Sequence, residues 1–225
     1  MQVESSRTQS GRAPSAGTPR DATVVREIAR IPGVDAVHGV TCDGELVWAA
    51  TGPRLVGLDP ESGALRRTLE TPADAGSAFD GTHLYQLVES RIDKIDPVDG
   101  RVVSSIPAPG EGCGSGLAWA EGFLWVGQYQ GRKIHQVDPA TGEVLRTLES
   151  NRFVTGVTWV DGELWHGTWE DEQSELRQID PQTAEVRQTL RMPAGKIVTG
   201  LEAQGDVFYC GGGSSGTLRV VERPR

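Results

Sequence analysis

The sequence predicts an all-β protein, a five-bladed β-propeller with four antiparallel strands per blade. Three observations predict it. A head tetrapeptide followed by a tight turn recurs five times along the 225 residues. An Asp-Pro pair recurs at matching places in four of those units. The fifth unit lacks a last strand, and the N-terminal segment carries one of the right pattern.

The heads are Val37-His38-Gly39-Val40, Gly76-Ser77-Ala78-Phe79, Ser115-Gly116-Leu117-Ala118, Val154-Thr155-Gly156-Val157 and Val198-Thr199-Gly200-Leu201. Each opens a first strand that ends at Asp43-Gly44, Asp80-Gly81, Glu121-Gly122, Asp161-Gly162 or Gln204-Gly205. These pairs are hairpin signals, because glycine accepts the positive φ of a tight turn. A short apolar second strand follows, with one aromatic in each: Trp48, Tyr85, Trp125, Trp165 and Phe208. One aromatic per repeat reads as packing between blades. The third strand closes on Leu58-Asp59-Pro60, Ile95-Asp96-Pro97, Val137-Asp138-Pro139 or Ile179-Asp180-Pro181. The Asp-Pro-x-x-Gly that follows is turn chemistry, with Ala184 replacing the glycine in the fourth unit. Fourth strands then read LRRTLE, VVSSIP, VLRTLE and VRQTL. A unit of about 40 residues with this content is a propeller blade.

The fifth unit stops after its third strand, Thr217-Leu218-Arg219-Val220-Val221. Residues Thr23 to Ile31 repeat the fourth-strand pattern, so the N-terminal strand is expected to complete the last blade and close the ring. Seven blades would need about 60 further residues. The domain boundaries follow: a disordered polar tail over 1–21, rich in Ser, Gly, Pro and Arg, and one propeller domain over 22–225.

A net charge of −9 argues against nucleic-acid backbones and anionic membranes as partners. The first residues have no apolar segment of signal-peptide type and no run reaches transmembrane length. The expectation is a soluble, monomeric, cytoplasmic protein, or a secreted one if a leader has been removed. Cys42, Cys113 and Cys210 form no zinc spacing and no even disulfide set, and read as reduced, mostly buried thiols.

First strands line the axis of a propeller, and their starts meet the ends of second strands at one mouth. The starts give His38, Ser77, Ser115, Thr155 and Thr199. The second-strand ends give Gln86, Glu89, Gln128, Tyr129, His166, Trp169, Glu170 and Tyr209. This set suits a small polar molecule or a peptide against an aromatic wall. It equally suits a water-filled channel of satisfied polar groups. His38, His166 and Glu89 are the candidates for acid–base work. With Glu89 or Glu170 the two histidines also form a candidate set for a divalent cation, although no spacing motif supports it and no cofactor is required. His83 and His135 read as surface residues, Glu170-Asp171-Glu172 as a solvated loop, and Gly211 to Gly216 as a flexible loop rather than a phosphate loop.

Leu84-Tyr85-Gln86-Leu87, and the run from Gly162-Glu163-Leu164-Trp165 through Trp169 to Arg177-Gln178-Ile179-Asp180, resemble blade motifs of the glutamine cyclotransferase family. The resemblance spans roughly residues 23–222. It implies a five-bladed propeller and, in the family, conversion of N-terminal glutaminyl to pyroglutamyl residues. Position by position the chemistry differs. His38 stands for a family glutamine, and Ala49 stands where the catalytic glutamate of a Glu-Ser-Thr-Gly stretch belongs. Ser115 replaces a channel tryptophan, Thr155 and Thr199 replace asparagines, and a family lysine falls near Gly212. Alanine cannot carry the proton that the leaving amide needs, so ordinary cyclase activity is not expected. A looser similarity, in His38-Gly39-Val40-Thr41 and Asp161-Gly162-Glu163-Leu164-Trp165, is to streptogramin-lyase-type propellers with their His/Glu/His magnesium site. Three functions therefore stand: a diverged small-molecule or peptide handler, a non-catalytic interaction propeller, and a metal-dependent lyase or hydrolase.

Overall fold

A computed structural model describes residues 17–28, 30–110 and 112–224. Most of the tail expected over 1–21 lies outside the described residues. The chain opens with β1 (Arg20–Asp21) and β2 (Val24–Ile28). Blade one is β3 (Gly39–Cys42), β4 (Val47–Ala50), β5 (Leu55–Leu58) and β6 (Leu65–Leu69). Blade two is β7 (Ser77–Phe79), β8 (Leu84–Val88), β9 (Arg91–Ile95) and β10 (Val102–Pro107). Blade three is β11 (Gly114–Ala120), β12 (Phe123–Gln128), β13 (Lys133–Val137) and β14 (Val144–Glu149). Blade four is β15 (Phe153–Val160), β16 (Glu163–Glu170), β17 (Gln173–Ile179) and β18 (Val186–Arg191). Blade five begins with β19 (Leu201–Gln204), β20 (Val207–Gly211) and β21 (Leu218–Glu222).

β2 supplies its fourth strand, pairing antiparallel with β21 from Val24↔Val221 to Ile28↔Leu218. The ring is thus closed by the N-terminal strand, as the repeat count requires. One feature was not legible in the sequence. β1 adds in parallel to the outer edge of β18, with Arg20 opposite Leu190 and Asp21 opposite Arg191. It covers unpaired backbone groups that an edge strand would otherwise expose. The last two residues assigned to the tail are therefore part of a sheet.

Turn chemistry is as the sequence reads. The Asp59 carboxylate accepts from the Glu61 and Ser62 amides at 3.1 and 2.8 Å, and that of Asp180 from Gln182 and Thr183 at 2.7 and 2.9 Å. These amides, with Arg66 and Arg187 beside them, hold both carboxyls below the usual range. Asp43 ties its hairpin to the blade by accepting from Trp48 Nε1 at 2.7 Å, and Asp80 accepts from the Tyr85 hydroxyl at 3.2 Å.

The core is divided into five apolar clusters, one between each pair of neighbouring blades. Each holds at least one aromatic among its aliphatic residues. Tyr85 stacks on Trp119 of the next blade at 5.4 Å and Trp125 on Trp159 at 5.8 Å, while Trp165 leans on Phe208 at 5.0 Å. Burying one such ring is worth about 2–3 kcal/mol. The register places Tyr209, not Phe208, at the position of the other blade aromatics: Gly211 faces Gly200 as Gly167 faces Gly156.

At the axis the first strands touch through glycine. A Cβ on Gly116 would lie 2.5 Å from Val157 N, one on Gly156 2.7 Å from Leu201 N, and one on Gly200 2.7 Å from Gly39 Cα. Gly39 and Gly76 meet the next blade in the same way, so five glycines form a closed girdle. Close backbone approach is a role that only glycine fills.

Candidate functional site

The residue before each girdle glycine faces the axis. His38, Ala75, Ser115, Thr155 and Thr199, with Asp74, Gly114 and Tyr129, line a cavity of about 210 Å³. The register explains the composition. In blade two the girdle glycine is Gly76, whose carbonyl accepts from Leu87 N, so Ala75 rather than Ser77 takes the place of His38. Ser77 points the other way and donates to Gln86 Oε1 at 2.6 Å. Reading Gly76 as the first residue of its unit hid both Ala75 and Asp74. Aligning the five glycines would have found them.

The mouth side chains are held from below. Thr199 Oγ1 donates to Val37 O across the blade junction at 2.5 Å and accepts from Gly213 N at 3.0 Å. Ser115 Oγ donates to Val154 O of blade four at 2.7 Å. Thr155 Oγ1 is buried and has no partner. His38 is half-buried, its amide fixed to Ala50 O at 2.8 Å. The Tyr129 ring stacks on Phe153 at 4.8 Å, and the Arg132 guanidinium covers Phe153 at 4.2 Å. Asp74 is exposed and supplies the cavity's one carboxylate.

The other expected site residues lie elsewhere. Gln86 is fully buried, and its amide nitrogen donates to the carbonyls of Ala75, Gly76 and Leu87 at 3.1, 3.2 and 2.8 Å. It braces blade two. Gln128 packs over the glycines of the neighbouring loops, within 2.6 Å of where a Gly131 Cβ would stand. Tyr209 belongs to the cluster between blades five and one. Glu89 sits exposed at a positive φ in the β8–β9 turn. Trp169 pairs with Phe153 and Ser174 in its sheet and is not part of the cavity wall. Glu170 is half-buried and bound to Arg132 at 3.0 Å, so only Asp171 and Glu172 of its run are exposed loop. His166 is 1% exposed and opens on a separate cavity between blades three and four. The common cause is strand parity. Second-strand side chains alternate between the two neighbouring blades, because the first strand stands between them and the axis.

The two histidines and the carboxylates therefore do not converge, and no group of three His, Cys, Asp or Glu suited to a metal occurs among the described residues. Cys113 is exposed rather than buried, His135 is buried against Thr147, and Gly211 to Gly213 are packed rather than open. Ala49 lies wholly buried in the blade five–one cluster. A carboxylate that sequence reading passed over is Glu202, two residues beyond Gly200. Burial pushes it well above the usual range, against hydrogen bonds from the Thr158 and Thr41 hydroxyls.

These features define a five-bladed propeller with a small, polar axial mouth. The same fold occurs in a glutaminyl cyclase from Myxococcus xanthus, 18% identical, with a TM-score of 0.74 over 92% of this chain and 100% of that one. A chain of a mitotic checkpoint complex superposes at TM-score 0.57 and 12% identity, over 98% of this chain and 100% of that one. Virginiamycin B lyase from Staphylococcus aureus does so at 0.51 and 14%, over 87% and 69%. No protein-family model and no curated protein sequence matches the chain. Among the described residues no helix is long and apolar enough to cross a membrane.

Proposed function

We propose that this propeller binds a small molecule or peptide end bearing a cationic amine at the axial mouth, without glutaminyl cyclisation. The observation that carries this reading is the unpaired, buried Thr155 hydroxyl in the wall of a 210 Å³ cavity shared with His38, Tyr129 and Asp74. A buried hydroxyl without a partner costs about 1–3 kcal/mol, which a ligand's carbonyl or amine would recover. Asp74 offers a counter-charge, and the wall holds no lysine or arginine, so anions are disfavoured. Tyr129 offers its ring to an alkyl ammonium. Ser115 and Thr199 donate to the scaffold but keep lone pairs for a ligand's N–H groups. By the resemblance to the glutamine cyclotransferases, Ala49 stands where that family has its acid–base glutamate, and an alanine moves no proton.

The test is an NMR titration with an N-terminal glutaminyl dipeptide and with a simple alkyl amine, following the His38 ring signals and pyroglutamyl product together. Saturable shifts without product are expected, weakened about tenfold by Asp74→Asn. Product at an enzymatic rate would overturn the non-cyclase reading. Unmoved His38 signals with every amine would remove the mouth as a binding site. A second reading, a docking platform, rests on Leu65, Val102, Val103, Val144 and Leu145, which are exposed on the outer strands of blades one to three. It predicts a partner protein captured through these strands and lost when Val103 and Leu145 become lysine.

A further inference from the structure

The junction of blades three and four is built differently from its neighbours. In blades one, two and three the Asp-Pro turn ends in a glycine that the preceding blade's fourth strand fills. A Cβ on Gly142 would come 2.8 Å from Pro107 and one on Gly100 3.2 Å from Leu69, while Gly63 is pressed against Ile28. Blade four carries Ala184 at this position, at φ 63°, a conformation unfavourable for any residue with a Cβ. Its methyl packs against the apolar cluster shared by blades three and four. It lines a cavity of about 230 Å³. Strained residues persist where the surroundings use them.

The cavity has an apolar wall, one buried polar end, and a polar rim of Glu149, Ser150, Asn151 and Arg177. Ile134, Leu148, Ile179 and Val186 form the wall, from both blades. His166 forms the end, and its Nδ1 is buried without a partner. At the same position of the second strand the other blades have Ala49, Gln86, Val126 and Cys210, all buried and none leaving an unpaired nitrogen. Burial, then the nearby charge of Arg177, pushes the imidazole down to about 3, so the ring is neutral at any working pH. The Arg177 guanidinium is itself consumed. It donates to Asn151 Oδ1 at 2.7 Å and pairs with Glu175 at 2.8 Å. The buried end of the cavity therefore offers a hydrogen bond without a net charge, with the Glu149 carboxylate kept to the exposed rim.

We infer that this inter-blade cavity is a second binding site, for an uncharged aromatic molecule of phenol to indole size that carries one hydroxyl or ring N–H. The size follows from volume: an apolar protein cavity of roughly 150 Å³ accepts benzene. The ring lies between Ile134, Leu148, Ile179 and Val186, and its polar group meets His166 Nδ1. A hydroxyl both donates and accepts, so it satisfies the nitrogen in either tautomer. A charged group at the buried end would be stripped of water with no unpaired counter-charge beside His166 to meet it. This site is independent of the axial mouth, so the two stand or fall separately.

Phenol, indole and benzene are titrated separately into the wild-type protein. Melting temperature and the imidazole nitrogens of His166 and His38 are followed together, the latter by long-range ¹H–¹⁵N correlation. Phenol or indole is expected to saturate, to raise the melting temperature and to move His166 Nδ1 while leaving His38 unchanged. His166→Leu should weaken phenol about five- to tenfold and leave benzene unaffected. If none of the three saturates, water fills the cavity and the inference fails. If benzene binds as tightly as phenol to the wild type, the role assigned to His166 is overturned. Both outcomes are read on the wild type and do not depend on a variant folding.

Discussion

Gly200→Ala probes the girdle where the ring closes. The new Cβ would lie 2.7 Å from Gly39 Cα and from Val40 N, whereas ordinary contact begins at 3.4 Å, so blades five and one must part by about 0.7 Å. Both neighbours are backbone, and neither can rotate aside. Overpacking of this kind costs about 1–3 kcal/mol, at the upper end here because each inner strand is clamped by the next around a closed circle. The alanine returns about 0.5–1 kcal/mol by restricting the unfolded chain. The net expectation is a loss of about 2 kcal/mol, which lowers the melting temperature by about 4–8 °C in a protein of this size. Gly114→Ala is the control. There the nearest atoms are the Leu87 methyls at 3.0 and 3.2 Å, which a rotamer change can move. Urea unfolding of both variants at one temperature measures the difference. Equal stability within 0.5 kcal/mol, on the order of the error of such extrapolations, would refute the girdle as a steric constraint.

Three further outcomes follow from the same geometry. Glu202 titrates above the usual carboxylate range in the folded state, so its contribution is complete below the unfolded value and is lost as the pH rises towards the folded one. Glu202→Gln should therefore gain stability over the wild type at pH 8 but not at pH 4, seen by denaturant titration. For Asp80, burial alone would raise the carboxyl. The His83 and Thr82 amides and Lys94 outweigh it and hold it low, so its contribution fades as the pH falls into the carboxylate range. Asp80→Ala should cost about 2–3 kcal/mol at neutral pH by freeing those partners and the Tyr85 hydroxyl, and the deficit should shrink in acid. Ala184→Gly relieves a positive φ and should raise the melting temperature by about 2–4 °C, or about 1 kcal/mol, in a thermal scan.

The blade count, the turns and the closing strand were legible because each leaves a mark that burial does not blur. Asp-Pro-x-x-Gly is dictated by backbone angles, and β2 keeps the alternation of a fourth strand although it lies far from the others in sequence. The functional surface was harder to read. A slip along blade two's first strand exchanged Ser77 for Ala75 and concealed Asp74, because that strand is apolar or small on both faces and carries no marker of parity. The same ambiguity set Phe208 in place of Tyr209. Gln86, His166 and Tyr209 are polar enough to suggest a channel, yet their strand gives its side chains to neighbouring blades. Gln86 is satisfied by Ser77 and the carbonyls of its own blade, whereas His166 keeps an unpaired nitrogen at a cavity shared with blade three, and the sequence pattern of the strand does not tell the two cases apart.

The strand that closes the ring is made before all four complete blades, and its partner after them. Until β21 emerges, β2 has no neighbour of its own, and its Val24 and Ile28 remain without cover beside four blades already able to form. Closure of the ring thus waits for β21, and until then the nascent chain passes through an open crescent with two bare ends. A truncation that removes Leu218 to Glu222 would leave that crescent permanent, exposing edges that pair readily with another copy. Protection of both edges is therefore tied to one pairing between strands that flank the whole repeat array.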